Sequence, residues 1–169
     1  MPALTPFNLK SWVDENRHQL KPPVGNKPIW AGQFLVMIVG GPNARTDYHI
    51  NPTEELFYQV EGDIVLKVIE DGKPRDIPLK QGDIFLLPAK VPHSPQRPAN
   101  TVGLVVEQPK ASTESHHLRW YCRNCREVLH DFEFQPADLG KQIKSMLEQF
   151  NSKKELRTCK SCQAVFEVS

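Results

Sequence analysis

No apolar run in this chain outlasts Phe34 to Val39, a strand's length and far below the roughly 20 residues that a membrane helix needs. No helix that spans a bilayer is expected. Surplus charge is equally lacking: 21 Lys and Arg against 20 Asp and Glu leave a formal charge of +1, which gives no electrostatic reason to expect nucleic acid or an anionic membrane as a partner. A small molecule is the expected partner. Cysteine is scarce, with four in 169 residues, all of them in two Cys-x-x-Cys pairs. The stretch MPALTPFNLKSWVDENRHQL lacks the basic-then-apolar order of a secretory signal and carries acids that a mitochondrial presequence avoids, so a cytoplasmic location is expected. In that reducing compartment, thiols paired at this spacing point to a metal rather than to disulfides. There is no internal repeat and no low-complexity tract.

What the chain does contain is the composition of a globular protein, 39% hydrophobic and 24% charged, at a length that suits one core with a small appendage. Asn8 is placed to cap a helix whose apolar positions Leu9, Trp12 and Val13, then Leu20, fall roughly on one face. KPPVGNKP then breaks regular structure, and such a segment lies on the surface or over an opening. From Ile29 to about Val106 short β-rich runs follow one another (FLVMIVGG, DYHI, EELFYQVEG, DIVLKVIEDGK, RDIPLKQGD, IFLLP, TVGLVVEQ), punctuated by Gly62-Asp63, Asp71-Gly72 and Gly82-Asp83. A mainly β protein with a jelly-roll barrel is the expectation. After Pro109 comes the polar linker KASTESHH, then a tail in which Leu139, Ile143, Met146, Leu147 and Phe150 repeat at helical spacing between the two cysteine pairs. This divides the chain into residues 1–110, barrel with N-terminal helix, and 111–169, a helical extension that needs a staple or docking to be stable.

One histidine and one carboxylate, His49 and Glu55, lie in a single strand-turn-strand unit, and a second histidine, His93, follows in PAKVPHSPQR. Two imidazoles and one carboxylate suffice to hold iron(II) with half its coordination sphere free. The framing residues carry a resemblance. Gly41, Asp47, Tyr48, His49, Glu55 and Gly62 resemble the first cupin motif, and Gly82, Pro88, His93 and Arg97 resemble the second. Asp47 stands where many cupins have a further metal histidine, so the resemblance implies three protein ligands, His49, Glu55 and His93. Side chains alternate along a strand, so Glu55, Phe57 and Gln59 share one face and Glu54 the other, which selects Glu55. The same parity puts Arg45, Asp47 and His49 together, with Asp47 read as an acceptor that orients a histidine.

KPPVGN, GGPNARTDYH, EELFYQVEG, GDIFLLPAKVPHSPQRP, VVEQ, WYCRNC and RTCKSC together resemble the 3-hydroxyanthranilate 3,4-dioxygenase family, in its short microbial and fungal form with a rubredoxin-like metal site. This resemblance implies iron(II)-dependent ring opening of 3-hydroxyanthranilate, a small aromatic amino acid, by dioxygen, a step from tryptophan toward NAD. It implies substrate contacts at Arg45, Arg97 and Glu107, with Asn26 on the covering loop, and a homodimer. An arginine offers a planar fork that matches the substrate's carboxylate.

Cys122, Cys125, Cys159 and Cys162 form two knuckles, the pattern of a closed tetrahedral site for zinc or a single iron, and a closed site is structural. A zinc-ribbon module that binds nucleic acid is disfavoured: from His116 onward nine Lys or Arg face seven Asp or Glu. His18, His116 and His117 are assigned no role. The competing readings are another cupin enzyme, such as a sugar isomerase or thiol dioxygenase, and a cupin that only senses a small ligand.

Overall fold

The computed structural model describes residues 5–20, 25–43, 45–108, 113–135, 137 and 139–168. Helix α1 (Leu9–Asn16) starts where the Asn8 side chain accepts the Ser11 N–H at 2.9 Å. Its buried Val13, with Leu20 beyond the helix, packs on Ile38 and Val102 of the sheet beneath, as the spacing of the apolar residues predicts. Residues 21–24 of KPPVGNKP lie outside the described residues. From Asn26 onward the same segment is a strand.

The strands form two antiparallel sheets. One has the order β1 (Asn26–Ala31), β2 (Leu35–Gly40), β9 (Val102–Glu107), β4 (Glu55–Glu61), β7 (Ile84–Leu87). The other runs β11 (Val128–Phe134), β10 (His116–Tyr121), β3 (Tyr48–Ile50), β8 (His93–Gln96), β5 (Ile64–Glu70), β6 (Lys73–Leu79). Alternation points Phe57 of β4, Leu66 and Val68 of β5 and Val105 of β9 inward, where they meet Met37, Ile64, Leu79 and Leu87 in one core. Each such side chain contributes about 1.5–3 kcal/mol when fully buried. At Gly41 the backbone passes so close to Pro98 that a Cβ would lie 2.0 Å from its carbonyl oxygen, so only glycine fits there.

Four strands, β1, β8, β10 and β11, lie outside the β-rich runs read from the sequence, and β11 falls in the tail expected to be helical. β1 contains Pro28, tolerated because β1 is an edge strand and its register shifts between Pro28 and Trp30. β8 contains Pro95, whose missing N–H faces β3, and β3 pairs with β8 only at His49 opposite His93. β10 begins inside what reads as a linker. It pairs with β3 through His117 opposite Ile50, Leu118 opposite His49 and Arg119 opposite Tyr48. The extension is therefore joined to the barrel by backbone pairing, a closer union than the packing expected of residues 111–169.

A second core forms between β10, β11 and helix α2 (Leu139–Ser152), with Leu118, Trp120, Ile143, Met146, Phe150, Cys159 and Phe166 buried together. Trp120 and Phe150 stack at 4.1 Å and 12°. Phe150→Ala should lower stability by about 3–5 kcal/mol. Urea unfolding would measure it, and a loss under about 1 kcal/mol would contradict the view that this stack holds α2 on β10.

Candidate metal centre and its cavity

The register of β3 and β8 puts His49 directly opposite His93, with ring centroids 5.3 Å apart inside the barrel. Glu55 opens β4 on the facing sheet. Its Oε1 lies 3.5 Å from His49 Nδ1 and 3.4 Å from His93 Nε2, and all three side chains are buried, whereas Glu54 is exposed. His93 Nδ1 is 3.0 Å from the Val91 carbonyl, which can only accept, so the hydrogen sits on Nδ1 and the Nε2 lone pair faces Glu55. Glu55 Oε1 has no hydrogen-bond partner despite its burial. An orphaned carboxylate oxygen between two imidazole nitrogens, at separations that ligands about 2 Å from one ion would show, fits a divalent metal.

Electrostatics agree with that fit. Burial pushes Glu55 up, but the positive charge that His93 and then His49 carry when protonated outweighs it and brings the carboxyl to about 2. Burial, reinforced by the neighbouring His93, His116 and Arg45, holds His49 well below the usual imidazole range even though Glu55 pulls the other way. At neutral pH the carboxylate is charged and His49 is neutral, the protonation states that ligation requires.

Around this triad stand the other residues singled out by the sequence. Glu107 of β9 lies directly opposite Glu55. Burial, and then the charge of Glu55, push its carboxyl up to about 9. The Asn51 Oδ1 accepts the Thr53 N–H at 3.0 Å and hydroxyl at 2.9 Å, which fixes the amide so that Nδ2 donates to Glu107 Oε2 at 2.6 Å. The proton of Glu107 therefore resides on Oε1, the oxygen without a partner. Arg97 is buried, donates from Nη1 to Gln59 Oε1 at 3.2 Å, and keeps Nε unpaired. Burial lowers it to about 10, so it remains a cation at neutral pH. Gly103 makes room for it, since a Cβ there would lie 2.7 Å from Nη1.

Arg45 directs Nε to both carboxylate oxygens of Asp47, at 3.2 and 3.1 Å. Asp47 thus serves an arginine, not a histidine: parity grouped the right residues, and the carboxylate's hydrogen bonds go to the Arg45 guanidinium. Arg45, Arg97, Glu107 and Asn26 all line one cavity of about 80 Å3 with the triad, walled by Met37, Phe57 and Val105. Leu139 and Ile143 of α2 complete the wall. Their helical spacing marked them only as core of the tail. Asn43 also lines it, and its Oδ1 accepts the Arg97 backbone N–H at 2.9 Å. A larger concavity of about 630 Å3 lies elsewhere and shares only Arg45 with this one.

The four cysteines also converge. Cys122 and Cys162 Sγ are 3.6 Å apart, Cys125 and Cys159 Sγ 3.5 Å, and the four sulfurs lie within 4.8 Å of one another. Each knuckle closes the same way, with Arg126 N–H donating to Cys122 O and Gln163 N–H to Cys159 O, and with Arg126 and Gln163 at φ of 67° and 62°.

Two antiparallel sheets rolled into one barrel, with two histidines and a glutamate meeting inside it, define a cupin with a candidate metal centre. The chain belongs to the 3-hydroxyanthranilic acid dioxygenase family, whose signature it matches over residues 1–151. It is 52% identical over 165 residues to a 3-hydroxyanthranilate 3,4-dioxygenase of Neurospora crassa, covering 98% of this chain and 92% of that one. The enzyme of the same name from Yarrowia lipolytica is 55% identical over 162 residues, covering 95% of each chain. That from Bacillus thuringiensis is 47% identical over 162 residues, covering 95% of this chain and 90% of that one. Among solved structures, a cupin-2 domain protein from Shewanella frigidimarina aligns with a TM-score of 0.45 and 17% identity over 60% of this chain and 99% of that one. The resemblance read from the motifs holds, and the chain is a dioxygenase.

Glu107 keeps its proton in the folded, metal-free protein up to about 9, whereas in the unfolded chain it ionises near 4.5. The folded state holds the extra proton across that window, so stability falls as pH rises through it. Glu107→Gln, neutral at every pH, should gain on the parent by on the order of 1 kcal/mol or more at about pH 8.5 relative to about pH 4.5. Urea unfolding of both metal-free proteins at the two pH values measures this, and an equal difference at both would contradict it.

Proposed function

We propose that this protein opens the aromatic ring of 3-hydroxyanthranilate with dioxygen on iron(II) held by His49, Glu55 and His93. The product, 2-amino-3-carboxymuconate semialdehyde, takes up both oxygen atoms, needs no further co-reactant, and closes without enzyme to quinolinate on the kynurenine route from tryptophan to NAD. The observation that carries this reading is the orphaned Glu55 Oε1 between two imidazole nitrogens, in a cavity shared with the unpaired Nε of Arg97. Iron, when bound, supplies the redox chemistry that zinc lacks.

The chain's own residues do the rest. Arg97 binds the substrate carboxylate, and its burial strengthens that contact relative to one in water. Arg45, steadied by Asp47, lines the same cavity and serves the carboxylate and dioxygen side of the substrate. Glu107 exchanges a proton with the amino or hydroxyl group of the substrate through Oε1, while Asn51 holds Oε2. Asn26 contacts the substrate from β1, and Phe57, Val105, Leu139 and Ile143 keep water from the reacting ring. Iron or zinc in the Cys122, Cys125, Cys159, Cys162 cluster ties the extension together, and a reducing cytoplasm is the compartment that keeps those thiols available.

A homodimer covers exposed apolar residues of the five-stranded sheet and its β1–β2 turn, where Ile84 (68%), Leu86 (52%), Trp30 (52%) and, in the turn, Phe34 (52%) face solvent. Sedimentation should find the parent dimeric and Leu86→Lys shifted toward monomer. A monomeric parent removes this assignment.

Glu55→Ala should lose iron and oxygen uptake together. Arg97→Ala should keep its iron while the KM for 3-hydroxyanthranilate rises about 10- to 100-fold, the worth of a charged hydrogen bond. Iron analysis with an oxygen electrode measures both, and an iron-replete, active Glu55→Ala protein would sink the proposal. Stoichiometric substrate binding without oxygen uptake in the iron-loaded parent would favour a sensor instead.

A further inference from the structure

His116 sits behind His49, outside the substrate cavity, and is fully buried. The two rings stack with centroids 5.3 Å apart and planes inclined by 22°, and Phe134 packs against both. His116 Nδ1 lies 3.1 Å from His49 Nε2. Two imidazole nitrogens bond at that distance only if one carries hydrogen and the other a lone pair. The far side of the His49 ring decides which. His49 Nδ1 faces Glu55 Oε1 at 3.5 Å, so Nδ1 is the nitrogen turned to the metal and must keep its lone pair. In a neutral imidazole the hydrogen is then on Nε2, and a buried N–H there needs an acceptor.

We infer that His116 is a positioning residue that accepts the His49 Nε2–H, and that this bond selects the tautomer of His49 able to bind metal. Without the acceptor, the alternative tautomer moves the hydrogen to Nδ1, where it bonds Glu55 and occupies both donor atoms that the metal needs. β3 and β10 set the contact. Leu118 lies directly opposite His49, and His116, two residues earlier, shares its inward face. A residue of the extension thereby belongs to the support of the metal centre.

This inference rests on the reading of His49, Glu55 and His93 as metal ligands, and the test separates the two. His116→Phe keeps an aromatic ring on His49 and Phe134 but removes the acceptor. His116→Asn removes the ring but sets an amide oxygen close to where Nδ1 was. For the full-length parent and each variant, iron(II) affinity is measured by chelator competition, the cobalt(II)-loaded absorption spectrum is recorded, and the metal-free protein is melted. His116→Phe should bind iron about 10- to 100-fold more weakly, the usual effect of losing such a partner, with a changed cobalt spectrum. His116→Asn should bind within the same order of magnitude as the parent and keep its spectrum. If His116→Phe does not fold, His116→Ala replaces it in the comparison. Parental affinity in the variant lacking the acceptor overturns the inference, and so does equal weakening in His116→Asn, which would indicate packing alone. His49→Ala should hold one iron fewer per chain than the parent, with any iron at the cysteine cluster unchanged. If it keeps the parent's iron content, the ligand reading falls and the inference with it; if it loses that iron while His116→Phe binds like the parent, only the inference falls.

Discussion

One cross-strand pair, His49 opposite His93, is all the register that β3 shares with β8, and the candidate metal centre depends on it. A shift of one residue in either strand would turn an imidazole out of the barrel, because side chains alternate. The register is held from both sides. β10 pairs with β3 through three consecutive residues, and β5 pairs with β8 through four. The backbone also ties the ends of this unit together, since Asn43 and Arg97 exchange bonds at 2.9 Å, one through the Asn43 side chain. A short, proline-bearing strand is thus kept in register by its neighbours and not by its own ladder.

Strand β10 connects the two candidate metal sites. Its inward residues are His116, Leu118 and Trp120, alternating with residues that face out. The first touches His49, the second lies in the core of the extension, and the third stacks on Phe150 and donates from Nε1 to Thr46 at 3.2 Å. Cys122, which opens the first knuckle, follows two residues later and is buried in that same core. A change in the cysteine cluster therefore acts on a strand that is hydrogen-bonded to the one carrying His49. This gives the cluster a route to the barrel without any chemistry of its own.

The triad was legible in the sequence because its signal is local. Glycines frame it, and the period of two along EELFYQ separates Glu55 from Glu54. The cysteine quartet was legible for the same reason. What was hidden depends on contacts distant in sequence. His116 and His117 read as the end of a polar linker because a buried histidine and a half-buried one look alike, and only the pairing of β10 with β3 assigns them opposite faces. Pro28 and Pro95 masked β1 and β8, each tolerated because one side of its strand lacks a continuous ladder. Leu139 and Ile143 fit the helical period of the tail, and nothing local says that the start of that helix also meets the cavity. Asp47 was placed on the correct face, yet its partner is Arg45 and not a histidine.

The charges inside the barrel show why these polar groups can be buried at all. Glu55 is held ionised, Asp47 pairs with Arg45, and Arg97 stays cationic, so two carboxylates stand against two guanidiniums. Glu107 keeps its proton because burial raises its carboxyl, and the neighbouring charge of Glu55, beside which a third negative charge would have no counterpart, adds to that. A divalent ion at His49, Glu55 and His93 changes that sum by two positive charges, which favours ionisation of Glu107 and entry of an anion. Arg97 reinforces the second effect, since its Nε has no partner among the described residues. The same buried residues that make the metal-free lumen neutral thus make the metal-loaded lumen attract a carboxylate, so metal binding and the selection of an anionic aromatic substrate follow from one charge arrangement.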